Sequence, residues 1–347
     1  MFLFKKKLLA VSLAAISIIC TACNYTAQQE SDSNNIHNND TSVNDSARDD
    51  MAPADEEKIE INIGLVKNSA SALGAAHLFT NSEDNSAYEK YTPVVYNSAD
   101  ELLNAFKANE INAAVLPADK AAICYSNTDC YGVAVTSGSN YYIAENGSSV
   151  TDIEDLNGKT ITVSAEDTMA DSILNIISNY NNLNISYNFV DTNAQIINGL
   201  KDGSITLALT QEPYLSQVTS ETVRSAIDLY DYWNDAAGTE LVTSCLVISK
   251  NFISENANAF RFFMKDYAAS ASMAKRNTEE TAKSANRFAL VDDINSSKAA
   301  IPGCGVTFKT GEDMKTMLSG FYTVIAESNA DILGGHIPDD NFYFINE

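Results

Sequence analysis

The chain has 347 residues, 46 of them acidic and 22 basic, for a formal charge of −24. So acidic a surface argues against nucleic acid or an anionic membrane as a partner for the bulk of the protein. Hydrophobic residues make up 45% of the chain, enough for a sizeable core.

Lys5, Lys6 and Lys7 precede an apolar run from Leu8 to Cys20 and small residues up to Ala22, the order of a secretory signal peptide. That run is about thirteen residues, short of the roughly 20 that span a bilayer. Thr21 and Ala22 ahead of Cys23 resemble the bacterial lipobox, although Cys20 stands where Leu is usual. The expectation is removal of residues 1–22 and a lipid anchor, palmitate included, on Cys23 at the outer face of the cell membrane; cleavage elsewhere would release a soluble product. Asn24 to Glu57 is rich in Asn, Asp, Ser and Gln and cannot bury enough apolar surface to order itself, so it reads as a flexible tether.

From about Lys58 short β-branched runs alternate with helical segments. Strands are expected over Ile59 to Val66, Ala113 to Leu116, Val133 to Thr136 and Tyr141 to Ala144, with a helix over Ala99 to Ala108. A second series follows: strand Thr160 to Ser164, helix Met169 to Asn179, strand Tyr187 to Val190, helix Ala194 to Lys201, strand Ile205 to Leu209. Leu241 to Ser249 reads as a returning strand, and Ala257 to Ala274, Thr278 to Leu290 and Gly311 to Ser328 as helices. The alternation argues for α/β architecture with mainly parallel sheets. About 290 residues exceed what one core usually serves, so two lobes are expected: 58–147 with 243–347, and 148–242.

Asn97 to Ala118 aligns without gaps on Asp191 to Glu212 at a constant offset of 94, each reading helix, polar turn, buried strand, loop. The repeat makes Leu116 to Lys120, with Pro117, equivalent to Thr210 to Tyr214. In paired α/β lobes such strand-end loops face the crevice that takes ligand.

Cys124, Cys130, Cys245 and Cys304 remain after Cys20 and Cys23 are set aside; in an exported protein they permit two disulfides, 124–130 and 245–304, or four buried thiols. His37, His77 and His336 are scattered and no CxxC occurs, so neither metal nor cofactor is expected.

DLNGKTITVS (Asp155 to Ser164), AQIINGLKDGSITLALTQEPY (Ala194 to Tyr214), TSCLVISKNFISENANAFRFFMKDYAAS (Thr243 to Ser270), AIPGCGVTFKTGEDMK (Ala300 to Lys315) and GGHIPDDNFYF (Gly334 to Phe344) together resemble the substrate-binding proteins of ABC importers, of the nitrate, sulfonate and taurine (NitT/TauT) type that includes binders of thiamine-precursor pyrimidines. The resemblance implies a two-lobed type II periplasmic-binding-protein fold with hinged lobes, acting as a monomer that delivers a small molecule to a permease and its ATPase. Alternatives are an enzyme on the same fold, pyrimidine synthase-like or chorismate-processing, or a ligand-sensing lipoprotein without transport. No catalytic residue is expected.

The resemblance sets Gln211, Glu212 and Tyr214 in the cleft, where Glu212 could accept from an amine and Tyr214 stack on a ring; Glu212 reads equally as a bracing carboxylate. Ser137, Gly138 and Ser139, after Thr136, could turn backbone N–H groups to an oxyanion or form a plain hairpin. Asn68 and Ser69, with Ser71 and nearby Lys67, fit a first cleft loop or a helix cap. Thr168 could donate to a ligand, whereas Asp167 suits a helix N-terminus. Trp233, the only tryptophan, could wall the cleft but reads better as a half-buried surface ring. Acids and amides in these loops point to a neutral or cationic ligand, such as a pyrimidine or amine.

Overall fold

The computed structural model describes residues 57–218 and 220–345. The expected signal peptide, Cys23 and nearly all of the expected tether lie outside the described residues. Eleven strands are described: β1 Glu60–Val66, β2 Lys90–Tyr96, β3 Ala113–Pro117, β4 Cys130–Ser137, β5 Tyr141–Asn146, β6 Thr160–Ser164, β7 Ser186–Val190, β8 Leu207–Gln211, β9 Val223–Asp228, β10 Ser244–Ser249 and β11 Val306–Lys309. They form two sheets, ordered β11-β4-β10-β3-β1-β2 and β7-β6-β8-β5-β9.

In β1 the period of two sends Ile61, Ile63 and Leu65 into the core beneath the Ala70–Glu83 helix. Gly64 points the other way, and a Cβ there would lie 2.3 Å from the Leu102 side chain and 2.4 Å from that of Ile111, so a larger residue would have to push both side-chain ends aside. Leu102 and Phe106 come from the Ala99–Lys107 helix, which starts where Ser98 accepts from the backbone N–H of Glu101. At the offset of 94, Thr192 caps the Asn193–Asp202 helix in a capping box with Gln195, and Gly203 ends it with φ +81°. The repeat is thus a repeat of structure: β2-β1-β3-β10 in one sheet has the order and directions of β7-β6-β8-β5 in the other.

The sheets are mixed rather than mainly parallel. β1, β2 and β3 run parallel, as do β6, β7 and β8, but β10 is antiparallel to β3 and β4, and β5 is antiparallel to β8 and β9. The antiparallel strands border the two passages between sheets. The first passage is the short link from β4 to β5, which has no room for the helix a parallel connection needs. β5 pairs with β8 and β9 in the second sheet, so the chain first passes between the sheets at Ser137–Tyr141. The second crossing runs from the Tyr230–Ala237 helix into β10. The two crossings are tied together: Thr243 N–H donates to Ser137 O at 3.1 Å, Thr243 Oγ1 donates to Gly138 O at 2.8 Å, and Gly138 N–H donates to Gly305 O at 2.9 Å.

The Ala257–Arg276 and Thr278–Arg287 helices pack on the first sheet's Ala70–Glu83 helix, whose Gly74 and Ala76 carbonyls accept from Ser270 and Ser284 at 2.8 Å each. The Gly311–Asn329 helix packs on β4 and on the Ala170–Tyr180 helix of the second sheet. Trp233 is neither a cleft wall nor a surface ring. It is fully buried, 5.7 Å from the Phe321 ring, and its indole N–H donates to Thr239 O at 2.8 Å. The Tyr-rich helix turns Trp233 inward as its one buried residue, with Tyr232 packed partly buried against the same apolar cluster.

The four described cysteines are buried, unbridged thiols, the second of the two arrangements that the sequence permits. Cys124 and Cys130 do face each other, but their sulfurs are 3.9 Å apart, about twice a disulfide's ~2 Å. Cys245 and Cys304 belong to separate apolar clusters. Among the described residues, no helix is long and apolar enough to cross a membrane, and no three His, Cys, Asp or Glu side chains gather as metal ligands.

Candidate functional site

A cavity of about 190 Å³ opens between the two sheets, where strand-end loops of both converge. Asn68, Ser69, Pro117, Ser137, Thr168, Gln211, Glu212 and Tyr214 all line it. Gly138 and Ser139 do not. They line a separate groove with Tyr142, Asp228, Tyr230 and Gly303, because the crossing chain turns there to pack on Gly305. Gly305 has φ +58°, and a Cβ on it would lie 2.4 Å from Ser139 O.

Several expected ligand contacts are already engaged within the protein. Ser69 Oγ accepts from Ala72 N–H at 3.2 Å and donates to Val66 O at 2.7 Å, so it caps the Ala70–Glu83 helix. Asn68, with φ 54°, exchanges two hydrogen bonds with Asp292, which also pairs with Lys67 at 2.5 Å. Glu212 accepts from the Ser216 N–H at 3.0 Å and from its hydroxyl at 2.8 Å, so it braces the following turn. At the cavity floor Ser71, Thr136, Ser137, Thr243 and Ser244 link hydroxyl to hydroxyl over 2.6–2.8 Å, which ties the crossings to the first helix.

The acids across the cavity form the least satisfied part of the site. Asp167 does not merely cap a helix. Its Oδ1 accepts from the Tyr141 hydroxyl at 2.8 Å, and its Oδ2 accepts from the Gln211 amide. Gln211 Oε1 in turn accepts from Asn140 Nδ2 at 3.4 Å, and the same nitrogen donates to Glu212 O at 3.1 Å. From the opposite sheet comes Asp119, on the first turn of the Ala118–Asn127 helix, whose Oδ2 accepts from the Thr168 hydroxyl and so bridges the cavity. Asp119 Oδ1 and Asn140 Oδ1 are buried and have no hydrogen-bond partner in the structure.

Burial raises the Asp119 carboxyl above the ordinary aspartate range against the pull of Thr168 and Lys120. Burial pushes Asp167 up to about 6, with the Tyr141 and Gln211 donors working the other way. Glu212 is likewise raised by burial. Tyr214 is pushed up to about 12 by burial and by the nearby acids Glu166, Asp167 and Asp292.

Asp119 and Asn140 are the residues that sequence reading did not single out. Asp119 sits in the loop the repeat equates with Gln211 to Tyr214, so the signal was present. An acid in a helix's first turn is also what dipole compensation alone selects, so its type carries no separate sign of a site. Asn140 fell in the gap between two expected strands.

The family model described as NMT1/THI5 like matches residues 131–281. No protein of curated function matches the chain in sequence. Among solved structures, an ABC transporter protein from Parabacteroides distasonis superposes with TM-score 0.70 at 20% identity, covering 83% of this chain and 99% of that one. The ligand-binding component of an ABC-type import system from Staphylococcus aureus, with zinc bound, gives 0.62 at 14% identity, covering 82% and 96%. The periplasmic aliphatic sulphonate binding protein SsuA from Escherichia coli gives 0.61 at 13%, covering 77% and 87%. At these identities the likeness establishes the fold, which is that of binding components of ABC import systems.

Proposed function

We propose that the chain is the extracytoplasmic solute-binding component of an ABC importer, which holds a small molecule between its two sheet-centred lobes and hands it to a permease. The observation that carries this reading is the cavity between the sheets, lined from both sides by strand-end loops that one structural repeat places symmetrically. The fold shared with import components and the family match over residues 131–281 support it. The crossings at residues 137–141 and 238–243 serve as the hinge, and Thr168 to Asp119 is a contact that closing makes and opening breaks.

Binding rather than catalysis also suits the lining, which contains no histidine or cysteine among the described residues. Cys124, Cys245 and Cys304 are buried thiols held well above the ordinary range, and weak nucleophiles for that reason. The signal peptide would direct export, and a lipid on Cys23 would hold the protein at the outer face of the membrane, within reach of its permease.

A melting-temperature screen tests the reading. Amines, aminopyrimidines, taurine, alkanesulfonates and nitrate are each added in excess, and one chemical class alone is expected to raise the melting temperature. Ligand at one hundred times its dissociation constant adds about 2.7 kcal/mol, a rise of several degrees. No shift with any class overturns the capture reading.

A further inference from the structure

Resting on that reading, we propose that the cavity selects a small organic cation, an ammonium or amidinium carrying at least two N–H donors, and that Asp119 recognises its charge. Two acceptors on residues that line the cavity are buried without a hydrogen-bond partner: Asp119 Oδ1 on a residue 0% exposed, and Asn140 Oδ1 on one 2% exposed. A buried acceptor left unpaired costs about 1–3 kcal/mol, and more where it is charged, so two in one cavity mark where donors belong.

The neighbouring side chains already direct their donors elsewhere. Gln211 and Tyr141 both point hydrogens at Asp167. Asn140 Nδ2 is held by Glu212 O and Gln211. Ser71, Ser137, Thr243 and Ser244 are linked to one another. Thr168 donates to the other oxygen of the Asp119 carboxyl, so in the closed arrangement one oxygen is held across the cavity and the second is left for the ligand.

Charge selects in the same direction. Asp100, Asp119, Glu166, Asp167 and Glu212 line the cavity against a single basic side chain, Lys120, which pairs with Asp100 at 2.8 Å. Lys67 nearby is engaged by Asp292. A sulfonate or nitrate would enter a site with no uncommitted cation and several carboxylates, whereas an ammonium or amidinium meets a carboxylate oxygen with no other claim on it. The volume sets the size. About 190 Å³ is a little more than the ~150 Å³ that holds benzene in an engineered cavity, which suits one ring or a short chain with its polar group.

Titration calorimetry with benzamidine, benzylamine and 1,4-diaminobutane, against taurine, methanesulfonate and nitrate, tests this on the wild-type chain and on Asp119→Asn and Asp119→Glu. The expected result is that at least one cation binds and no anion does, with affinity falling more than about 30-fold in D119N and less in D119E, which keeps the charge. Circular dichroism and melting curves identify any variant that fails to fold. Binding of an anion but no cation overturns the inference while leaving capture intact. Cation binding unchanged in D119N removes Asp119 from the role. Binding of none of the six probes overturns the inference and the capture reading together.

Discussion

Trp233→Ala is expected to lower stability by about 3–5 kcal/mol, a fall in melting temperature on the order of 10 °C. The indole is 0% exposed and joins the second sheet's Tyr230–Ala237 helix to Phe321 on the long Gly311–Asn329 helix. That helix also packs against β4 of the first sheet, so the ring lies in the apolar cluster through which the two sheets are held. The surroundings cannot collapse easily to fill the void, because Gly320 already brings the long helix so near the loop at Thr239 that a Cβ there would lie 2.4 Å from its Oγ1. The indole's hydrogen bond to Thr239 O is lost as well. Thermal unfolding followed by far-ultraviolet circular dichroism gives the answer; a fall of less than about 2 °C would mean that the ring does not carry this junction.

The second large effect is a dependence of stability on pH that belongs to Asp167. Its carboxyl titrates near 6 in the folded protein against 3.8 as an ordinary aspartate, so the folded state holds its proton more tightly than the unfolded chain does. Below pH ~4 both states are protonated and the stabilising contribution is fully present. As pH rises from about 4 to 6 the unfolded chain releases the proton first, and the contribution is lost, on the order of 3 kcal/mol in all. The groups facing Asp167 are Tyr141 and Gln211, which donate to it, and Asp119, whose charge opposes its ionisation. Asp167→Asn cannot titrate. The stability of the variant minus that of the wild type is therefore expected to grow more favourable to the variant between pH 4 and pH 7, whatever offset the lost carboxylate imposes at every pH. A difference constant across that range would show that Asp167 is no more buried than an ordinary surface acid.

The inner strands were legible because they are apolar on both sides and short, and the helices of the repeat because each has a polar cap followed by a 3.6-residue stripe. β2, β9 and β11 were not, and all three are sheet edges; of the four edges only β7 was expected, over Tyr187 to Val190. An edge strand pairs on one side only and tolerates polar residues and proline, as Pro93 in β2 illustrates, so its sequence carries no continuous apolar run. The Ala70–Glu83 helix escaped notice for the opposite reason. Ala70 through Ala76 is buried all round by small residues, which leaves no polar face to set a period.

The site was legible to the level of loops. Pattern and repeat place Pro117 and Gln211 at equivalent strand ends, and both line the cavity. Which polar atoms remain free inside is a matter of three-dimensional pairing. Ser69, Asn68 and Glu212 are residue types that bind ligands, and here each is engaged by a neighbour. Asp119 is a residue type that caps helices, and here one of its oxygens is buried without a partner beside the cavity. Gly138 and Ser139 follow a strand as an anion-binding loop would, yet the crossing at Gly305 turns them into the other groove.

Hydrogen exchange of the protein with and without whichever probe raises its melting temperature tests the central claim most directly. A solute gripped between the sheets is expected to slow exchange together at 68–71 and 117–120 on one side and at 165–169 and 211–214 on the other. Protection confined to one sheet, or appearing instead around Gly138, Tyr230 and Gly303, would contradict capture in this cavity.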